Sequence, residues 1–565
     1  NTLKGLTITG GTTTLGNALD ITAGLSAGNA GTVTVAPGAV LASAGNLTFK
    51  SNQFGTARLA AGDVAGNYIT GEATVERYIP NNGFRSWRLL SVPTYGNGQT
   101  IRQAWQEGVA NTLPLQNNIP GFGTQITGTG QLATAQAAGF DNTTAAAALL
   151  SWGGNAWVNA TSTNTAIATN KGYFIFIRGE RSKGVTGASD NSSATTLRTK
   201  GLLYQGNQTF PGLPANSFNL IGNLYPSAIN FTNLVRTGGV NNLFYIWDSK
   251  KINGNSLGIY QTFSATNGFN CLVGGGSYTL GQPNTTIESG QAFFVTTGGT
   301  AGSITLTEAS KLSSSSHAGF RPTNTLIKID SRLYKVSENS NTLVDANVVV
   351  FDNSYSNTVD NDDALKLANS SENFGILTDN KTLSIEGRHP LNSNDAIHFT
   401  MWNMQQQQYS LEFVPGNLGN NGLTAILKDS YLHTSTPVDL NTATSVNFRV
   451  TSDAASAASN RFSLVFSKKE TLLSNFPGPG FMVMPNPTET NRVNILFTNK
   501  PKGKYTIRLL SNNGQSIINR VINHPGGNST QQLFLPQNIA SGAYEVEILS
   551  PDKTMTTKTL MVNRK

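Results

Sequence analysis

Apolar and polar residues alternate along most of this chain in short runs, and glycine, asparagine, serine and proline bound each run. Alternation with a period of two is the mark of a half-buried strand, and the residues between runs are turn chemistry. Stretches with a 3.6-residue period are scarce, and Thr100–Gly108 is the one short helix expected. The pattern predicts an all-β, multidomain chain. Over residues 1–75 the runs repeat: apolar triplets start at Leu6, Leu19, Val33 and Leu47, which are 13, 14 and 14 residues apart. A rung that cannot bury its face alone must stack on its neighbours, so this segment reads as the end of a β-solenoid or β-helix. An ordinary meander is the alternative. A solenoid cut at residue 1 exposes an unpaired rung, which points to further chain before Asn1.

Residues 76–311 form a second, mainly-β region that holds Trp87, Trp105, Trp152, Trp157 and Trp247. A line of exposed rings there would suit stacking on sugars, whereas filling a core between sheets is the plainer role of tryptophan. The charged group Arg178, Glu180 and Arg181 reads as a solvated strand end. A third region, 322–468, has the evenly spaced strands of a two-sheet sandwich. Its Asp360, Asp362 and Asp363 stand close enough to suggest a Ca²⁺ site, but the sequence lacks the glycine and terminal glutamate of an EF-hand. A solvated turn is the competing reading. The Pro/Gly segment 469–480, with Pro477 and Pro479, is the clearest boundary in the chain. Beyond it, 481–565 offers six or seven strands, with the Asn513–Gly514 pair of a tight hairpin.

Composition narrows the function. The 565 residues carry 12% charged side chains and a net charge of +8, with no basic run interleaved with aromatics. Nucleic-acid binding is therefore not expected. One cysteine, Cys271, rules out an internal disulfide framework and reads as a buried small hydrophobe. No run of 18 apolar residues is present, so no membrane span is expected. The chain starts without Met and without a signal-peptide core, as a processed chain or the tail of a longer one would. The five histidines, His317, His389, His398, His433 and His524, lie in no recognisable nucleophile motif. The acids of the first segment, Asp20, Asp63, Glu72 and Glu76, form no evident pair for glycoside chemistry. No enzyme and no cofactor are expected.

The C-terminal run "MPNPT…VNILF…GKYTIRLLSNNGQSI…LPQNIASGAYEVEI…KTLMV" resembles the type A sorting domain of the type IX secretion system of Bacteroidota. The matching positions are Pro485, Asn486, Pro487, Gly503, Tyr505, Gly514, Gln515, Leu535, Ser541, Gly542, Tyr544 and Lys558. The resemblance implies an Ig-like sandwich taken through the outer-membrane translocon, collected by a shuttle barrel and removed by a sortase-like protease. The cargo would then be attached to surface lipopolysaccharide or released, outside the cell in either case. Within the motif, Pro485–Pro487 is expected to hold an extended entry, Asn513–Gly514 to set a hairpin register, and Gly542 to permit a positive φ. Cleavage is expected within 467–480, and the "NHPGGN" turn is expected to matter least. The preceding regions resemble modules of flavobacterial surface proteins, some of them gliding-associated adhesins. Two functions follow as expectations: a non-enzymatic adhesin-like or gliding-associated protein, or a carbohydrate-binding or polysaccharide-degrading exoprotein on the same route.

Overall fold

The computed structural model describes residues 1–26, 30–81, 85–108, 119–167, 172–183, 192–249, 258–274, 277–313, 326–338, 340–419, 422–468 and 480–564. Strands dominate, as the alternation predicts, and the described residues include two short α-helices, Ile101–Trp105 and Leu132–Ala137. The first is shorter than expected. Thr100 caps it, accepting from the Gln103 amide while the Gln103 side chain returns to Thr100. The second was not expected; its alanine-rich run "LATAQA" favours helix by propensity without a long amphipathic repeat. Contacts group the chain into two compact units, Asn1–Pro322 with Asp360–Asp362, and Thr323–Val359 with Asp363–Lys565.

In the first unit the N-terminal strands pair in parallel. The apolar starts do recur, but each pairs with the next but one: Leu6 with Val33 and Val33 with Leu59 on one sheet, Leu19 with Leu47 and Leu47 with Ala73 on another. A third parallel set joins Thr12–Thr14, Val40–Ala42 and Ile69–Thr70. The structural repeat is therefore roughly twice the spacing read from the triplets, because successive triplets occupy different sheets. Ile8, Ile21, Val33, Leu47, Phe49 and Leu59 fill the space between the sheets. The last parallel strand, Ala73–Ile79, then pairs antiparallel with Thr195–Leu203, which carries the stack into the second region.

That region is built around aromatic side chains. Trp105 and Trp247 are buried. Trp87, Trp152 and Trp157 are half-buried and packed with Phe174 and Phe294, the Trp87 and Phe174 rings stacked at 4.6 Å. The tryptophans form a core and its margin, not an exposed line. The Arg178–Arg181 group is likewise not solvated. Arg181 is buried and forks onto Asp141 (2.9 and 2.5 Å), whose Oδ2 also accepts from the Ile126 amide at 2.9 Å. Sequence alone hid this, since the partner carboxylate lies 40 residues away. Cys271 is buried, its thiol pushed up to about 12 chiefly by that burial.

A buried ion pair ties the N-terminal stack to this region. Glu308 accepts from the amides of Gly62 (2.8 Å) and Gly206 (2.7 Å), from the Tyr68 hydroxyl (2.8 Å) and from Lys311 Nζ (2.7 Å). A buried carboxylate persists where such donors replace its water. Lys311 is fully enclosed beneath the Tyr68 and Tyr225 rings, and burial holds it down to about 8.

The second unit begins with a sandwich whose core includes Leu333, Phe374, Phe399, Tyr409, Phe413 and Leu464. Two buried ion pairs brace it, Lys366 with Asp345 and Arg461 with Asp429, each at 2.8 Å. Past residue 479 follow seven strands, numbered here β1 (Gly480–Met484), β2 (Arg492–Lys500), β3 (Gly503–Ser511), β4 (Ser516–His524), β5 (Gly527–Phe534), β6 (Gly542–Leu549) and β7 (Met555–Val562). They form two layers, β1–β2–β5 and β4–β3–β6–β7, over a core that includes Phe481, Ile495, Phe497, Ile507, Leu509, Val546 and Ile548. The first layer does not end at β5. That strand continues the sheet of the preceding sandwich by pairing in parallel with Thr444–Arg449.

Candidate functional site

The C-terminal module is the part of the chain with candidate functional residues, and the structure gives each of them a place. The Pro485–Pro487 segment is not an extended entry: both X–Pro bonds are cis and the chain bends. Asn486 sits between them with its side chain against the free edge of β7. Its Nδ2 donates to the Thr559 carbonyl at 2.7 Å and its Oδ1 accepts from the Met561 amide at 2.8 Å. One side-chain amide thus replaces a strand's donor and acceptor. Thr488 continues the clamp through backbone bonds to Met561 and Asn563, both at 2.8 Å.

Tyr505 and Tyr544 have the same geometry. Each stands two residues after a glycine that opens its strand, Gly503 for β3 and Gly542 for β6. Both rings are buried, and each hydroxyl donates to the carbonyl four residues back, Tyr505 to Pro501 at 2.9 Å and Tyr544 to Ala540 at 2.8 Å. Sequence reading picked out both tyrosines but missed that Gly-x-Tyr occurs twice with one purpose. The glycines differ in cause. A Cβ on Gly503 would meet the Pro551 ring at 2.5 Å, whereas Gly542 has open space but, as expected, a positive φ of 157°, which residues with a side chain rarely adopt. Gly514 needs its freedom too: at φ +79° it turns β3 into β4, its amide donating to Ser511.

Leu535 lies in the core, while Ser541 holds the chain end, its Oγ accepting from the Arg564 amide at 2.8 Å and donating to the Arg564 carbonyl at 3.1 Å. Gln515 and Lys558 are exposed, Gln515 beside the hairpin turn and Lys558 on β7. The motif residues therefore do not converge on one pocket. They fix a fold, and only its exposed members are available to a reader.

The turn expected to matter least is not plain. His524 is buried between the Phe497 and Tyr505 rings at 5.0 and 5.3 Å, and its Nδ1 accepts from the Gly526 amide at 3.0 Å. Burial, with the Lys500 charge adding to it, pushes this imidazole down to about 4. Asn528, closing the same turn, accepts from the Asn499 amide at 2.7 Å and donates to Asp439 (2.8 Å) and Thr442 (3.0 Å) of the sandwich.

The other sites suggested by sequence are not assembled. Asp363 is buried and accepts from the Gly387 amide at 2.9 Å, while Asp360 accepts from the Asp362 amide in an exposed turn. Among the described residues no cluster of three His, Cys, Asp or Glu side chains could hold a metal ion. His389, His398 and His433 are exposed. His317 and the expected cleavage segment from 469 to 479 lie outside the described residues. Among the described residues no helix is long and apolar enough to cross a membrane.

Comparison with known proteins places the module. Residues 482–563 match the family described as secretion system C-terminal sorting domain. The chain is thus a type IX secretion cargo, exported to the cell surface or the extracellular space. Similar solved structures include the dimeric latent PorU of Porphyromonas gingivalis (11% identity, 46% of this chain and 31% of that one, TM-score 0.14). Others are PorZ, a surface component of the type IX system of the same organism (11%, 71% and 69%, TM-score 0.14), and the ectodomain of the C. elegans fusion protein EFF-1 (9%, 65% and 93%, TM-score 0.14). This chain spans about a third of the length of the PorU chain, and at these TM-scores nothing about it rests on the three likenesses. A search of curated proteins returned no match. The longest family match runs from residue 132 to residue 466, more than half of the sequence, and by it the chain belongs to the family described as Domain of unknown function (DUF8693).

Proposed function

We propose that the chain is a non-enzymatic surface protein of the adhesin or gliding-associated type, delivered by its sorting domain. The observation that carries this reading is the N-terminal stack of parallel strands, which we read as the end of a β-helix, followed by further β modules. Stacked repeats present continuous binding surfaces, and their neighbours need rigidity more than chemistry. The buried charges support that view, since Arg181, Lys311, Lys366 and Arg461 each spend their charge on a structural carboxylate. On this reading the partners are the type IX translocon, its shuttle barrel, a sortase-like protease acting within 467–480, and surface lipopolysaccharide for an attached form.

Deleting residues 480–565 should leave the protein in the periplasm, and fusing them to a reporter should bring the reporter out. Deleting the whole chain should reduce cell spreading or adhesion while purified protein shows no hydrolysis of polysaccharides. A cell that spreads and adheres normally without the chain would sink the adhesive reading. A second reading, carbohydrate binding, draws on one cleft of about 430 Å³ lined by Trp152, Pro211, Phe218 and Asn219. Micromolar binding on a glycan array that Trp152→Ala abolishes would favour it over the first.

A further inference from the structure

The junction between the sorting domain and the sandwich before it has the chemistry of a contact made to open. Strand β5 meets the sandwich edge over three pairs, Thr444 with Asn528, Ser445 with Ser529 and Val446 with Thr530. The cores on either side share no residue. What β5 buries there is polar: Asn528, Ser529, Thr530 and Gln531. The hydroxyls of Ser529 and Thr530 are enclosed without a hydrogen-bond partner among the described residues, so the closed junction gains no bond from either. A permanent interface resembles a core cut in half, and this one does not. Among the described residues the side-chain hydrogen bonds across the junction come from Asn528, which accepts at Oδ1 from Asn499 of the sorting domain and donates through Nδ2 to Asp439 and Thr442 of the sandwich, while the Arg492 guanidinium lies a loose 5.9 Å from the Tyr431 ring.

We propose that the sorting domain is a reversible cap on the sheet edge Thr444–Val446, and that this edge, once uncapped, accepts the β5 strand of a second copy of the chain. An unpaired edge offers a row of backbone donors and acceptors to any strand of matching register. The second copy is the occupant of choice because its β5 brings the same register and the same Asn528.

The test uses the full chain with a specific protease site placed between residues 469 and 479. After cutting, the two parts should co-elute when concentrated and separate on dilution, and a labelled sorting domain released from one copy should bind the uncapped remainder of another. Amides of Thr444–Val446 should exchange faster in the separated cargo than in the uncut chain. Asn528→Asp keeps the acceptor for Asn499 but sets a carboxylate against Asp439, and it should weaken the association by about tenfold or more. Adding Asp439→Asn should restore it, which a merely misfolded variant would not show. The proposal is overturned if the cut parts never separate without denaturant, if they separate at every concentration, or if the double variant binds no better than Asn528→Asp alone.

Discussion

His524 shows how one side chain takes its charge state from packing. Enclosed by Phe497 and Tyr505, it stays neutral well below the pH at which a free histidine would protonate. Its folded pKa lies under its unfolded one, so its contribution is present above about pH 6.5 and is lost as the pH falls toward 4. Allowing for partial screening, acidification across that window should cost the sorting domain about 2 kcal/mol, read from denaturant titrations at several pH values. His524→Phe should flatten the dependence. Asn486 makes a different kind of contribution, two hydrogen bonds from an exposed position. Asn486→Ala should lower stability by about 1–2 kcal/mol and raise amide exchange at Met561 ahead of the rest of the domain.

Between elements, two glycines separate steric need from conformational need. Gly503→Ala drives a methyl into Pro551 and should cost about 1–3 kcal/mol, with part of it recovered in a Pro551→Ala background. Gly514→Ala has room but keeps φ near +79°, so a loss of about 1 kcal/mol should be indifferent to Pro551. Elements were also where reading the sequence succeeded and failed most plainly. The seven strands of the last module follow from alternation between turn residues. The N-terminal starts were visible too, yet their pairing was not, because spacing along the chain does not say which sheet a run joins. Arg181 was misjudged, and the surroundings of the "NHPGGN" turn were missed, for a related reason: Asp141 beside Arg181, Phe497 and Tyr505 around His524, and the strand at Thr444 beside Asn528 are all distant in sequence. The motif of the sorting domain was readable residue by residue, whereas the shared geometry of Tyr505 and Tyr544 needed coordinates.

Across the whole molecule, modules meet in two different ways. Glu308 gathers donors from the N-terminal stack and from the second region, so the two regions should unfold together. Glu308→Ala leaves Lys311 buried with the Tyr68 hydroxyl but no counter-charge and should cost about 3–5 kcal/mol. The expected sign is a split of one thermal transition of residues 1–313 into two, followed by calorimetry. The second unit should behave differently, since its junction at β5 is short and polar. There, scanning calorimetry of the uncut chain should resolve the sorting domain as its own transition.

The clamp at Asn486 has a bearing on biosynthesis. The strand it grips, β7, is synthesised well after Asn486 itself, Thr559 following it by 73 residues. A product ended before Thr559 has nothing for that side chain to hold, and Leu560 and Val562 are missing from the core. The fold of the address can therefore close only once the chain through Val562 has been made.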